Sequence, residues 1–324
     1  MSEALPAEPG LAKPALAKPA PWTFAAPWGA RSYVSDLGGP VHWIEFGEEG
    51  APGRDGTPVV FVHGLGGSHL NWCLIGPGLA AGRRAVALDL HGFGLTPGTR
   101  ATSSVHHNAM LLDRFVREVT GTPVILAGNS MGGLISILQA SAAPDTVAGL
   151  VLIDPALPPR RVPDRQVGNR FLMYALPGIG EVYLRSVQSR QPPQLTVQRV
   201  IELCFADPSR VDPAMFTAAI ALAAERQSQG LRARDEAFLA ATRSLMRVVG
   251  LRRRYREMMA SVRVPVLLLG GEADRLVPVA SMREAASRNP GWETVILPGV
   301  GHTPQLEVPD SVTGTLRDWL RTHF

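Results

Sequence analysis

One short stretch constrains the fold of this chain more than any other: residues 128–133, with the sequence GNSMGG. It directly follows an apolar run at residues 123–127 (PVILA), which has the composition of a buried strand, and it directly precedes a helical pattern. A tight turn between strand and helix leaves little room for side chains near its centre, which accounts for the glycines. The pattern therefore predicts a strand–turn–helix unit that holds Ser130 in strained backbone geometry with its hydroxyl exposed.

Short apolar runs of strand length recur along the chain and alternate with segments of helix length. Two of these segments, residues 105–120 and 132–143, lie where crossover helices are required. Alternation of this kind builds a mostly parallel sheet flanked by helices, so the predicted fold class is α/β. The predicted strands are residues 41–46, 58–62, 84–88, 123–127, 150–153, 264–269 and 294–297.

Two segments depart from this alternation. Residues 1–21 contain a tandem LAKPA repeat and many prolines, so we expect a flexible extension there. Residues 156–261 have helical spacing and no convincing buried strand, which predicts a helical lid. The α/β core is then formed by residues 22–155 and 262–324.

The composition is that of an ordinary globular protein. The net charge of +4 comes from 32 basic and 28 acidic residues, and the densest basic run, at residues 252–256, is typical of the polar face of a helix; a nucleic-acid partner is therefore not expected. The two cysteines, Cys73 and Cys204, form no disulfide or zinc pattern. Since no run of about 18 apolar residues occurs, stable membrane insertion is not expected and a cytoplasmic protein is the default.

A serine hydroxyl needs a general base, and the base needs an acid that orients it. His302, in the glycine-bounded stretch GVGHTPQLE after the last strand, is the candidate base. Asp274 follows the strand at residues 264–269, at a strand end where parallel sheets bind ligands, and is the candidate acid. Asp154 follows residues 150–153 in the same way and remains the rival acid.

The loop after residues 58–62 reads HGLGGS and has the glycine content needed to turn a backbone amide toward a substrate oxygen. We assign the backbone amides of Leu65 and Met131 as the two oxyanion donors, and we expect His63 to hold this loop by hydrogen bonding. Residues 89–94 (DLHGFG) lack the lysine and glycine spacing of a nucleotide loop, and the histidines at 106–107 lack metal-ligand partners. Neither a cofactor nor a metal is expected.

Together, the motifs HGLGG, DLHGFG, GNSMGG, GGEADRLVP and GVGHTPQLE resemble the α/β-hydrolase superfamily, in the lid-bearing branch that includes carboxylesterases and carbon–carbon bond hydrolases. The resemblance runs from about residue 41 to residue 324. It implies an eight-stranded sheet with the lid inserted after strand 6, and a triad of Ser130, His302 and Asp274 in the chain order Ser, Asp, His.

The resemblance implies a serine hydrolase that cleaves a carboxylic ester of a hydrophobic small molecule through an acyl-enzyme. Dehalogenase and epoxide hydrolase activities are disfavoured because their nucleophilic aspartate is replaced by Ser130. The alternatives are a carbon–carbon bond hydrolase of a diketone-type ring-cleavage product, whose usual tryptophan after the histidine is Thr303 here, and an acyltransferase. A non-catalytic binding protein on the same fold is the least favoured function, and the oligomeric state is left open.

Overall fold

The computed structural model of the chain describes residues 17–48, 54–159, 165–188, 191–228 and 230–324. Within these ranges the strands form one sheet of nine, in the spatial order β1-β2-β3-β5-β4-β6-β7-β8-β9. The first three strands are antiparallel to their neighbours, and the pairs from β5 to β9 are parallel. In chain order the strands are β1 Lys18–Pro19, β2 Ala30–Asp36, β3 Pro40–Phe46, β4 Gly56–Val62, β5 Arg83–Leu88, β6 Val124–Asn129, β7 Val147–Ile153, β8 Val266–Gly271 and β9 Glu293–Leu297.

The two-residue strand β1 was not expected. Lys18 and Pro19 pair with Val34 and Tyr33 of β2, inside the segment predicted to be a flexible extension. The pairing shows that regular structure begins before residue 22. Without β1 the sheet has the eight strands that the resemblance implies, and the long insertion follows the sixth of them. Residues 1–16 of the predicted extension lie outside the described residues.

Both faces of the sheet are covered, because the central strands are apolar throughout. In β4, Val60 and Val62 contact the core on one face, whereas Val59 and Phe61 contact the core on the other. Side chains of α2, α3, α9 and α10 fill the first core, and side chains of α1 and α12 fill much of the second. The helices around the sheet are α1 Gly76–Leu79, α2 Val105–Phe115, α3 Met131–Ala142, α10 Val279–Arg288, α11 Pro304–Glu307 and α12 Pro309–His323.

Six helices occupy the described parts of the insertion between β7 and β8. The last of them, Arg252–Ser261, packs on α3. Its Tyr255 is fully buried, and the Tyr255 hydroxyl donates to the carbonyl of Ala156 at 2.9 Å. Residues 252–254 of the basic run lie exposed on this helix, as predicted. The six are α4 Arg165–Ala175, α5 Ile179–Tyr183, α6 Pro193–Cys204, α7 Pro213–Ser228, α8 Leu231–Gly250 and α9 Arg252–Ser261. We call α4 to α8 the helical insertion.

No helix in the described ranges combines the length and the apolar character needed to cross a bilayer.

Candidate active site

Ser130 occupies the sharp turn that the sequence predicts. β6 ends at Asn129, α3 begins at Met131, and the backbone of Ser130 between them has φ of 54° and ψ of −116°. Such a φ is rare for a residue with a side chain and indicates strain that the surroundings enforce. A side chain at position 132 would collide with the carbonyl of Val62, and one at position 128 would collide with the backbone at position 132. The glycines of the motif are therefore required by close backbone packing.

The structure brings His302 and Asp274 together in a buried contact. His302 lies in the loop after β9, Asp274 lies in the loop after β8, and His302 Nδ1 is 2.7 Å from Asp274 Oδ2. The other carboxylate oxygen of Asp274 accepts hydrogen bonds from the amides of Leu276 and Val277, at 2.7 and 3.0 Å. The carboxylate is thus oriented from one side by its own loop and presents its free side to the imidazole.

Asn129 links the serine turn to the histidine loop. Its side-chain amide donates to the carbonyl of Ile153 at 3.0 Å and to the carbonyl of His302 at 3.1 Å. The residue directly before Ser130 therefore fixes the backbone of His302. Sequence reasoning missed this role, although the position of Asn129 inside the GNSMGG motif was a signal for it.

Asp154, the rival acid, makes a different set of contacts. Its two carboxylate oxygens both accept from the amide of Gly271, at 3.2 and 3.1 Å, and its own φ is 39°. Complete burial, followed by the negative charge of Asp274, raises the pKa of Asp154 well above its usual range. The hydrogen bond to His302 is made by Asp274, and Asp154 makes no hydrogen bond to that histidine among the described residues.

The loop after β4 lies directly against the serine. A side chain at Gly64 would approach the Cβ of Ser130 to 3.1 Å. His63 holds this loop as expected, since its Nδ1 donates to the carbonyl of Gly64 at 2.8 Å and its Nε2 accepts from the amide of Leu90 at 3.0 Å. Both bonds require the neutral imidazole, and burial lowers the pKa of His63 to about 4.

The two predicted oxyanion donors follow the two residues that approach each other here, Gly64 and Ser130. Leu65 follows Gly64 in the loop, and Met131 is the first residue of α3, where the helix dipole favours negative charge. Within the described residues, neither backbone amide donates a hydrogen bond to a protein acceptor. Both N–H groups are thus available to an oxygen outside the protein.

Asp89 collects four donors beneath the loop. Its carboxylate accepts from the imidazoles of His42 and His69 at 2.8 and 2.9 Å, and from the amides of His69 and Leu95 at 2.7 and 2.8 Å. Burial alone would raise the pKa of Asp89, but the two imidazoles hold it well below its usual range.

His42, His69 and Asp89 are also close enough for their ligand atoms to share a metal ion. Their present distances, however, are those of ordinary hydrogen bonds. No motif in the sequence indicates this cluster, because its members lie on three separate segments.

Glu307 connects the histidine loop to the helical insertion. One carboxylate oxygen accepts from the amides of Gly301 and Ala206, at 2.8 and 3.1 Å. The other accepts from the amide of Asp207 and from the guanidinium of Arg210, at 3.1 and 3.2 Å. The side chain has no exposed surface. Residues 206–210, which join α6 to α7, are therefore held against the loop that carries the histidine.

Comparison with known proteins identifies the family of the chain. The profile described as "Alpha/beta hydrolase family" matches residues 59–314, which is most of the chain. The dihydrolipoyllysine-residue acetyltransferase component of an acetoin cleaving system from Pseudomonas putida is 29% identical over 302 residues, covering 91% of this chain and 70% of that protein. The magnesium-chelatase 30 kDa subunit of Rhodobacter capsulatus is 28% identical over 317 residues, covering 94% of this chain and 98% of that subunit.

Among solved structures, a putative lipase from Acinetobacter baumannii AYE superposes with a TM-score of 0.71 at 21% identity. The superposition covers 93% of this chain and 94% of the lipase. At this level of identity the likeness is evidence for a shared fold alone.

Proposed function

The chain belongs to the alpha/beta hydrolase family, and we propose that it is a serine hydrolase acting on a carboxylic ester of a hydrophobic small molecule. The observation that carries the proposal is the buried 2.7 Å contact between His302 and Asp274, in a loop that Asn129 ties to the strained Ser130 turn. A nucleophile, a general base and an acid that orients the base are the three groups that acyl transfer requires.

In the proposed mechanism Ser130 Oγ attacks the ester carbonyl while His302 Nε2 takes the hydroxyl proton. Asp274 accepts from Nδ1, which fixes the tautomer and stabilises the imidazolium that forms. The oxyanion is bound by the amides of Leu65 and Met131. His302 then protonates the leaving alcohol, and water repeats the attack on the acyl-enzyme to release the acid and regenerate Ser130.

We propose that the helical insertion is a lid that supplies an apolar binding surface. Phe238 of α8 lies over the loop after β4, 3.7 Å from the point where a Cβ at Gly66 would stand. Phe238 also packs edge-on against Tyr174, which belongs to a small apolar cluster with Leu184 and Leu239. Apolar side chains over the loop after β4, which lies against Ser130, support a hydrophobic acyl or alcohol group on the substrate.

The test is hydrolysis of p-nitrophenyl esters with acyl chains from two to twelve carbons, by the wild-type protein and by Ser130→Ala. We expect turnover by the wild type, with a maximum at an intermediate chain length, and no turnover by the variant above background. Ester hydrolysis that survives in Ser130→Ala would overturn the proposal. Added primary alcohols test the acyltransferase alternative, because a transferase yields the new ester in preference to the free acid. A diketone-type substrate cleaved faster than any ester would instead favour the carbon–carbon bond hydrolase.

A second function is favoured by the match that spans both chains almost end to end. We propose that this protein, like its Rhodobacter capsulatus relative, works with a magnesium chelatase. The test is magnesium insertion by a reconstituted chelatase with and without this chain. Stimulation by the wild type but not by Ser130→Ala would show that the chelatase role depends on the proposed hydrolase site. Equal stimulation by both would favour a non-catalytic binding role, and no stimulation would contradict the chelatase role.

A further inference from the structure

Arg226 lies near the carboxyl ends of the parallel strands, on the side of the sheet where Ser130 follows β6. It stands near the end of α7, four residues after Leu222, so the two side chains share one face of the helix. Leu222 is buried in the core cluster that also contains Leu70 and Leu95, from the loops after β4 and β5. The Arg226 guanidinium donates to the carbonyl of Gly92 in the second of these loops, at 2.8 Å. Arg226 is thus directed inward, over the loops beside the serine turn.

The guanidinium has no carboxylate partner in the part of the chain that the structure describes. Two other half-buried arginines have such a partner: Arg243 makes two hydrogen bonds to Glu181, at 2.9 and 3.0 Å, and Arg256 bonds to Glu284 at 2.8 Å. Among the described residues, the Gly92 carbonyl is the one acceptor recorded for its five N–H donors. Within those residues Arg226 is a cation without a direct counterion.

Two other charged groups, Arg234 and Asp89, act on the Arg226 guanidinium without a direct contact. Burial lowers the pKa of Arg226 to about 10, with a further contribution from the positive charge of Arg234 on α8 and an opposing one from Asp89, so the group stays protonated at neutral pH. Asp89 is not a direct partner, because its oxygens already accept from two imidazoles and two amides. Arg234 is itself paired with Asp235, at 3.6 Å, so Arg226 is the guanidinium of the two that can bind an incoming anion.

We propose that Arg226 binds a carboxylate of the substrate, so that the natural ester is an anionic one with a carboxylate at a distance from the scissile bond. The planar fork of a guanidinium matches the two oxygens of a carboxylate, and the charge-assisted pair it forms is strong. This inference rests on the proposed hydrolase function, since it identifies a substrate class for the same site.

The experiment compares matched charged and neutral esters. One pair is p-nitrophenyl hydrogen glutarate and p-nitrophenyl pentanoate, with the charge on the acyl side. The other is 3-carboxy-4-nitrophenyl butanoate and p-nitrophenyl butanoate, with the charge on the alcohol side. In one of the two pairs we expect the wild type to have a higher kcat/KM for the charged ester than for the neutral one. Arg226→Met should lower this ratio by about 10- to 100-fold, mainly through the KM of the charged ester.

Two further variants separate charge from folding. Arg226→Lys retains the positive charge and should keep part of the preference, while Arg226→Gln retains a donor for Gly92 and should lose it. The matched control is Arg232→Met, because the Arg232 side chain on α8 is 89% exposed and pairs with Glu236; it should leave the preference unchanged. A preference that is absent in the wild type, or identical in wild type and Arg226→Met, would overturn the carboxylate site while ester hydrolysis itself stands.

If no ester of either pair is hydrolysed, the hydrolase function fails and the carboxylate site is decided by binding alone. Calorimetric titration with glutarate should then show binding to the wild type and to Arg232→Met, with a loss of about 10-fold or more in Arg226→Met. Equal glutarate affinity in all three proteins would overturn the site.

Discussion

The backbone amide of His302 donates a hydrogen bond of 2.6 Å to the carbonyl oxygen of Cys204, the last residue of α6. This bond joins the proposed general base to the helical insertion. Glu307 connects the same two segments through its own hydrogen bonds. Any movement of the insertion that displaces the end of α6 would therefore displace the histidine. We therefore expect the proposed lid to open through helices of the insertion other than α6.

Glu307→Gln is expected to weaken the junction. All four partners of Glu307 are donors, so the amide NH₂ of glutamine would face two N–H groups in place of an acceptor. We expect a loss of about 1–3 kcal/mol in the free energy of unfolding, measured with urea, and a lower kcat. Glu257→Gln is the control, because Glu257 lies exposed on α9 and makes only a surface pair with Arg253. Equal stability in the two variants would refute the structural role of Glu307.

Exchanging each aspartate for asparagine should separate the acid from its rival. Asp274→Asn cannot hold the required tautomer of His302, and kcat should fall by about 10⁴. Asp154→Asn leaves the contact between Asp274 and His302 in place, and burial and Asp274 raise the pKa of the carboxyl group that is replaced, so kcat should change little. The pH-rate profiles of both variants provide the measurement. A larger loss in Asp154→Asn than in Asp274→Asn would reverse the assignment.

His63 should make the protein sensitive to mild acid. Its pKa is about 4 when folded and about 6.5 when unfolded, so the unfolded state binds more protons between these values. Stability is complete above pH 6.5 and falls as the pH drops toward 4, by up to about 3 kcal/mol from this residue.

His63→Gln lacks the titrating group, so its free energy of unfolding should depend less steeply on pH over this interval. Denaturant unfolding at a series of pH values measures both slopes. Parallel curves for wild type and variant would show that His63 does not cause the effect.

Two glycine-to-alanine changes should act in opposite directions. Gly132→Ala places a methyl group against the carbonyls of Val62 and His63 and should prevent native folding or abolish activity. Gly314→Ala, inside α12, meets nothing within 4 Å and should stabilise the protein by about 0.5–1 kcal/mol. Thermal unfolding of both variants provides the comparison; stabilisation by Gly132→Ala would contradict the packing described for the turn.

The sequence predicts the central strands well, because strands buried on both faces must be apolar throughout. It does not reveal β2, whose residues 31–34 are only half-buried, since a half-buried strand near the edge of the sheet has no comparable apolar pattern. The predicted lid, residues 156–261, also includes the last helix before β8. α9 continues the helical spacing of its neighbours, but Tyr255 and Met259 pack in the core below α3.

Within the site, Ser130, Asp274 and His302 could be predicted because each follows a strand whose position the apolar pattern reveals. The residues that hold them in place could not. Asn129 and Glu307 lie inside the motifs, but they act on backbone groups of distant segments, and the sequence does not show which groups those are. The same holds for Arg226, whose proposed role depends on the lack of a carboxylate partner among the described residues.

Covalent labelling of Ser130 tests the central claim most directly. The wild-type protein is treated with a fluorophosphonate, its intact mass is measured, and the modified peptide is identified by fragmentation. We predict one adduct per chain, located on Ser130, absent from Ser130→Ala and formed far more slowly by His302→Ala. A folded wild-type protein that takes up no label, or that is labelled equally in Ser130→Ala, would contradict the claim that Ser130 is an activated nucleophile.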